Sequence, residues 1–113
     1  MSEYAKRVDG NHAIIREAVR RAGYQWVDTF RAGHGFPDAL VISKSHVIAL
    51  LEVKQPGETL TAAERKFWDV FTGPIAIVRS EQEALDVLYD LDKLTATVRI
   101  VSEDTRRMKG ATE

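Results

Sequence analysis

Two apolar runs, Ala39 to Ser43 and Val47 to Lys54, stand on either side of a short polar break at Lys44, Ser45 and His46, and they restrict the fold more than anything else in the chain. Runs this short and this rich in branched residues read as the two strands of a β-hairpin. Both are apolar at consecutive positions, which predicts a sheet covered on both faces by helices. Three ionisable residues interrupt this otherwise interior segment: Asp38 where the first strand begins, and Glu52 and Lys54 near the end of the second. Burying charge without a partner is costly, so their presence calls for a reason. Glu52 and Lys54 are two apart on a strand and share a face. Pairing Ser43 with Val47 places Asp38 opposite Glu52 on that face, whereas pairing Ser43 with His46 sends the two carboxylates to opposite faces. The chemistry predicts the first register, with a three-residue loop.

Around the hairpin the elements alternate in type. Ile14, Ile15, Ala18, Val19 and Ala22 form a helical stripe over residues 11–22, and Gly23 follows where a left-handed C-terminal cap would sit. Tyr24 to Phe30 has the aromatic and β-branched alternation of a half-buried strand. Thr61 with Glu64, and Ser80 with Glu83, have capping-box spacing and open two further helices, one ending near Thr72 and Gly73 and one running through Leu91. Ile75 to Val78 lies between them as a short buried strand, and Thr95 to Val101 reads as a final edge strand. The expected order is α-β-β-β-α-β-α with a final β: an α/β domain with a central mixed β-sheet flanked by helices. No repeat or linker divides it, so residues 1–101 read as one domain and 102–113 as a flexible C-terminal tail.

Composition removes several classes of function. With 113 residues, a single core is feasible without cross-links, and the absence of cysteine excludes disulfides and thiolate zinc sites. The three His residues lack paired-ligand spacing. A basic pair near the N-terminus has no apolar stretch behind it, and no apolar run approaches the roughly 18 residues of a membrane span, so a cytoplasmic protein is expected. Sixteen Lys and Arg against 17 Asp and Glu give a net charge of -1, which argues against a protein that coats nucleic acid through many phosphate contacts. The charge is uneven: residues 1–56 carry eight basic and six acidic side chains, and residues 57–113 carry eight and eleven. A polyanion would meet the first half.

Two carboxylates directly opposed on neighbouring strands stand roughly 5 Å apart at Cβ and repel unless a cation lies between them. A hard divalent ion suits oxygen ligands, so Asp38, Glu52 and the adjacent backbone carbonyl of Val53 are candidate ligands for Mg²⁺ or Mn²⁺. Lys54 beside the ion can bind a scissile phosphate, hold or deprotonate the attacking water, or offset charge in the transition state. The reaction class that fits is metal-assisted hydrolysis of a phosphodiester.

Gly35-Phe36-Pro37-Asp38, thirteen intervening residues, then Glu52-Val53-Lys54 resembles the PD-(D/E)XK nuclease signature. The surroundings, with Gly23, Gly33, Leu60-Thr61, Glu64, Gly73 and Ile77 to Ser80, are similar to its VRR-NUC branch and the small stand-alone phage and prophage nucleases related to it. The resemblance covers roughly residues 8–90. It implies a restriction-endonuclease-like fold, Mg²⁺ or Mn²⁺ dependence, DNA cleavage leaving 5′-phosphate and 3′-hydroxyl ends, a homodimer in many members, and a bacterial host cytoplasm if phage-encoded. Asp38, Glu52 and Lys54 take the catalytic positions by direct match. The acidic residue that many members carry on the first helix falls near Asn11 here, which can hold a water but brings no charge. Glu17 is the only acid within that helix, yet it points away from the apolar stripe. Glu64 corresponds to a position that faces the site from the second helix, and it also completes a capping box.

Other features have plainer readings. Pro37-Asp38 alone is a common turn pair, and the three charged residues taken together suit a structural ion pair. Arg16 and Arg20, four apart with Arg21 beside them, suit either a DNA backbone or a solvated face. His34, Lys44 and Gln55 are further candidate DNA contacts, and His46 is simple loop polarity. Trp26, Phe67, Trp68 and Phe71 read as core or dimer packing. Arg106, Arg107 and Lys109 in the tail could add attraction to DNA. A chain this short leaves no room for a separate recognition domain, so structure-directed cutting of junctions, flaps or single strands, or nicking, is expected rather than sequence-specific cutting. The competing reading is a catalytically silent nucleic-acid-binding or assembly module of the same fold, working within a phage or repair complex.

Overall fold

The computed structural model describes residues 8–94, so the expected edge strand at Thr95 to Val101 and the tail from residue 102 lie outside the described residues. A wide, irregular turn at Val8–His12, broken at Gly10, leads into helix α1 (Ala13–Arg21). The stripe of Ile15, Ala18 and Val19 turns that helix inward. Gly23 ends it at φ +93°, with its N–H on the Arg20 carbonyl and the Tyr24 N–H on that of Val19. This double closure satisfies carbonyls that the last turn would leave bare.

Strands β1 (Gln25–Asp28), β2 (Ala39–Ile42), β3 (Ile48–Val53) and β4 (Ile75–Val78) form one sheet in that spatial order. The first two junctions are antiparallel and the β3–β4 junction is parallel, which makes the sheet mixed, as expected. The parallel return requires a crossover, supplied by helix α2 (Ala62–Val70). Helix α3 (Glu81–Asp92) follows β4. The hairpin adopts the first of the two registers considered above: Ala39 faces Leu51, Ile42 faces Ile48, and Ser43 donates to the Val47 carbonyl at 2.9 Å. The loop closes on His46 in the left-handed region at φ +71°, the usual geometry of a three-residue hairpin connection. Asp92, at the end of α3, accepts the Lys44 N–H at 2.9 Å and the Tyr24 hydroxyl at 2.9 Å, pinning the loop to helix and strand.

Alternation along the strands then separates two faces. Val41, Ala49, Leu51 and Val78 join Ile15 and Val19 of α1 and Ala84, Leu88 and Leu91 of α3 in the core. The opposite face carries Leu50, Glu52 and, just past the strand, Lys54; α2 begins over its Lys54 end, where Glu64 meets that lysine. Cover on this face is uneven, contrary to the expectation from the apolar runs, since Ile48 is 51% exposed and Val27 of β1 is 49% exposed. A nine-residue helix spans only about 14 Å and cannot roof a four-stranded sheet.

Both helix-start signals are met, one with a change. Thr61 and Glu64 form the full reciprocal capping box. Ser80 accepts the Glu83 N–H at 3.1 Å, but the Glu83 carboxylate accepts from Arg79, one residue earlier, at 2.6 Å. Between β1 and β2 the chain passes through the short turn Phe30–Ala32 and then three consecutive left-handed residues, Gly33, His34 and Gly35. Gly35, at φ +80°, lies so close to α2 that a Cβ there would sit 2.2 Å from the Ala63 carbonyl oxygen. Gly35→Ala is therefore expected to cost about 3 kcal/mol of folding stability, against about 1 kcal/mol for Gly33→Ala, whose added Cβ meets nothing within 4 Å. Denaturant unfolding of the two variants checks this; equal costs would show that the approach of α2 to this loop is not tight.

Candidate active site

The catalytic candidates gather because hairpin register and strand alternation leave them no other arrangement. Asp38 directly precedes β2, and its carboxylate takes the next rung of the hairpin: Oδ2 accepts the Val53 N–H at 2.7 Å. Its own carbonyl accepts the Thr29 N–H at 2.8 Å, so backbone and side chain are both fixed. Glu52 follows on β3 opposite Asp38, and Lys54 lies two residues on. N–H and C=O of one strand residue project the same way, so the Val53 carbonyl is directed toward the side where Asp38 lies.

These groups border a cavity of about 230 Å³, together with Asn11, His12, Phe30, Phe36, Gln55, Glu58, Thr61 and Glu64. Its walls are unbalanced in charge. Asp38, Glu52, Glu58 and Glu64 supply four carboxyl groups, and Lys54 is the lysine among them. Lys54 is 4% exposed and its Nζ lies 2.8 Å from Glu64 Oε1. That same oxygen accepts the Thr61 N–H at 2.8 Å, so Glu64 caps α2 and faces the site at once. Burial alone would raise the Glu64 pKa, but hydrogen bonds from Lys54 and Thr61, with the lysine charge, hold it below the usual carboxylate value.

Glu52 has no such compensation. It is 2% exposed, and its Oε1 has no hydrogen-bond partner among the described residues. Desolvation, then the charge of Asp38 and that of Glu64, push its pKa up to about 10. Glu52 thus favours its neutral acid form at physiological pH. Among the described residues no three His, Cys, Asp or Glu side chains converge as a complete ligand group. Mg²⁺ and Mn²⁺ do not require one: such ions are commonly held by one or two carboxylates, with waters and substrate phosphate oxygens completing the shell. An orphaned carboxylate oxygen, a second carboxylate opposite, and oxygen-only donors fit that class of ion.

The remaining sequence candidates separate by place. Asn11 borders the cavity, but its amide nitrogen donates to the Lys54 carbonyl at 2.9 Å and that of Arg79 at 3.3 Å, bracing α1 against the ends of β3 and β4. Gln55 borders it too, its N–H held by Glu58 at 2.6 Å. Glu17 does not: it is exposed and faces Arg21 at 3.6 Å. Arg16 is bound to Asp28 at 3.0 Å and Arg20 to the Trp26 carbonyl at 3.2 Å, so both tie α1 to β1. Lys44 lies at the hairpin loop, the far end of β3 from Lys54, against the Tyr24 ring. His34 is exposed, and the glycines on either side of it border the cavity. Trp26 is a core residue, while Phe67 packs on Phe36 and Phe71.

His12 is the site residue that sequence reasoning missed. It is 3% exposed, and its Nε2 lies 3.0 Å from Asp28 Oδ1. A signal was present: His12, Ile15 and Val19 continue one buried stripe, so a polar side chain occupies a core position. Asp28 also accepts from Trp26 Nε1 at 2.7 Å and Arg16 at 3.0 Å. Burial pushes the Asp28 pKa up, but these donors outweigh it and hold the carboxyl below its ordinary value.

Compared with known proteins, the chain matches no family profile, no curated protein and no solved structure.

The raised pKa of Glu52 sets a pH dependence. The folded chain keeps a proton that the unfolded chain gives up above about 4.5, so the group's contribution to stability is complete below that value and is lost as pH climbs toward about 10. Glu52→Gln, in EDTA, is expected to melt higher than the parent at alkaline pH, with the gap closing toward pH 5. Melting curves across that range check it; a gap independent of pH would show that Glu52 is ionised in the fold. Millimolar Mn²⁺ is expected to raise the melting temperature of the parent and not of Asp38→Ala.

Proposed function

We propose that the protein is a Mg²⁺- or Mn²⁺-dependent deoxyribonuclease that hydrolyses phosphodiester bonds, with Asp38, Glu52 and Lys54 as its catalytic residues. The observation that carries this reading is the buried, unpartnered oxygen of Glu52, set opposite Asp38 and two residues from a buried lysine in one cavity. A carboxyl group this poorly solvated gains most from a divalent cation, and Asp38, Glu52 and the Val53 carbonyl would hold one. The ion, when bound, supplies Lewis acidity toward a phosphoryl oxygen and lowers the pKa of water.

The chain's own part follows from its charges. Glu52 would hold the ion as a carboxylate, which requires the loss of the proton its burial favours. Asp38 keeps its orientation through the Val53 N–H. Lys54, held in place by Glu64, presents an ammonium that binds the anionic phosphodiester and offsets the charge gathering on the phosphoryl oxygens in the transition state. The substrate is best sought among junctions, flaps and single strands, and a two-fold homodimer would present two sites to opposite strands.

One observation favours a second reading. The Lys54–Glu64 pair braces α2 against β3 and would do so in a catalytically silent nucleic-acid-binding or assembly module of the same fold. Labelled single-stranded, duplex, flap and four-way-junction DNAs, incubated with Mg²⁺, Mn²⁺ or EDTA, separate the two. The nuclease reading expects metal-dependent cutting of at least one substrate, lowered about 100-fold or more in Lys54→Ala. Binding without cutting in either metal would favour the silent module.

A further inference from the structure

We propose that His12, oriented by Asp28, is the general base that takes the proton from the attacking water; this rests on the nuclease reading above. Hydrolysis requires an acceptor for that proton, and the three matched residues offer none. Lys54 Nζ is already engaged by Glu64 Oε1 at 2.8 Å. Asp38 commits Oδ2 to the Val53 N–H, and Glu52 would be taken up in holding the ion. Glu64 Oε1 already accepts from Lys54 and from the Thr61 N–H.

His12 borders the same cavity, and its Nε2 is paired with the Asp28 carboxylate at 3.0 Å. Asp28 takes donors from Trp26 Nε1 and Arg16, which keep it an anion, so the hydrogen between it and His12 Nε2 belongs to the ring. The neutral imidazole therefore carries its proton on Nε2 and leaves Nδ1 as an acceptor. Edge contacts at 5.4 Å with Trp26 and 5.3 Å with Phe30 fix the plane of the ring. A carboxylate behind one nitrogen and a reaction cavity beside the ring is the arrangement that turns histidine into an oriented base.

In the step, one O–H bond of the water breaks, its proton passes to Nδ1, and the oxygen's electron pair forms the new bond to phosphorus. The bond from phosphorus to the leaving oxygen breaks with its electron pair, and that oxygen takes a proton from solvent. The imidazolium, balanced by Asp28, later returns its proton to solvent. The charged groups that bear on the ring are Asp28 from β1, Arg16 from helix α1 that follows it, and Asp38, Glu52, Glu58, Glu64 and Lys54 around the cavity.

The test measures single-turnover cleavage by the parent, His12→Ala and Asp28→Asn with saturating Mn²⁺, beside the Mn²⁺-induced rise in melting temperature and DNA binding in Ca²⁺. His12→Ala is expected to lose about 100-fold or more in rate, to keep its Mn²⁺ response and DNA affinity, and to recover rate on addition of imidazole. Asp28→Asn, which keeps the ring, is expected to be slower and to move the acidic limb of the pH–rate profile to lower pH. This second variant decides the matter if His12→Ala does not fold. Unchanged rates in both variants, loss without imidazole rescue, or an unmoved acidic limb would overturn the base while leaving the nuclease intact. Rescue of His12→Ala by a substrate with a sulfur leaving atom would overturn it too, since His12 would then serve the departing group. A parent that cuts no DNA in any metal would overturn both proposals.

Discussion

The desolvation of Glu52 is the constraint on which the site depends. A carboxyl group on the third strand, 2% exposed and facing two other carboxylates, cannot ionise cheaply, and one of its oxygens has no partner among the described residues. A valine or leucine in its place would pack without that cost, as buried ionic groups replaced by apolar ones often show. What surrounds Glu52 limits the cost without removing it: Val53 donates to Asp38, and Lys54 is matched to Glu64 instead of to Glu52. The charge left over is negative, which a cation bound as proposed above would offset.

The rest of the fold keeps that arrangement in place. The left-handed His46 and the Ser43–Val47 bond set the register, and a slip of one residue would turn Asp38 away from Glu52. Asn11 joins the first helix to the carbonyls of Lys54 and Arg79, closing the site's back wall. Gly35 lets the start of α2 approach the loop before Asp38, which brings Glu64 within reach of Lys54. Helices α1 and α3 pack only on the opposite face, so the core and the site use alternate residues of the same strands.

Much of this was legible in the residues. The apolar runs and the polar break define the hairpin, and the carboxylates select its register, because only one pairing brings Asp38 and Glu52 together. Capping spacing at Thr61 and Glu64 locates α2, and the expected strand Ile75 to Val78 agrees with β4 at both ends. Other features were not legible, for physical reasons. Apolar runs report that a face is apolar and not whether a nine-residue helix is long enough to cover it, so the exposure of Ile48 was missed. A helical arginine pair looks alike whether it tracks phosphate or braces a strand; Arg16 and Arg20 are bonded to Asp28 and the Trp26 carbonyl. His12 escaped because its partner, Asp28, is sixteen residues away on a different element. Glu64 had two competing roles on sequence grounds, and one oxygen fills both.

The most direct test is calorimetric titration of Mn²⁺ into the protein near neutral pH, in two buffers of different ionisation enthalpy. If Glu52 is a buried neutral acid that becomes a ligand, binding releases close to one proton per ion, and the release disappears in Glu52→Gln. Binding without proton release, or no binding by a folded protein, would contradict the assignment of Glu52 as a metal ligand held in reserve by its own proton.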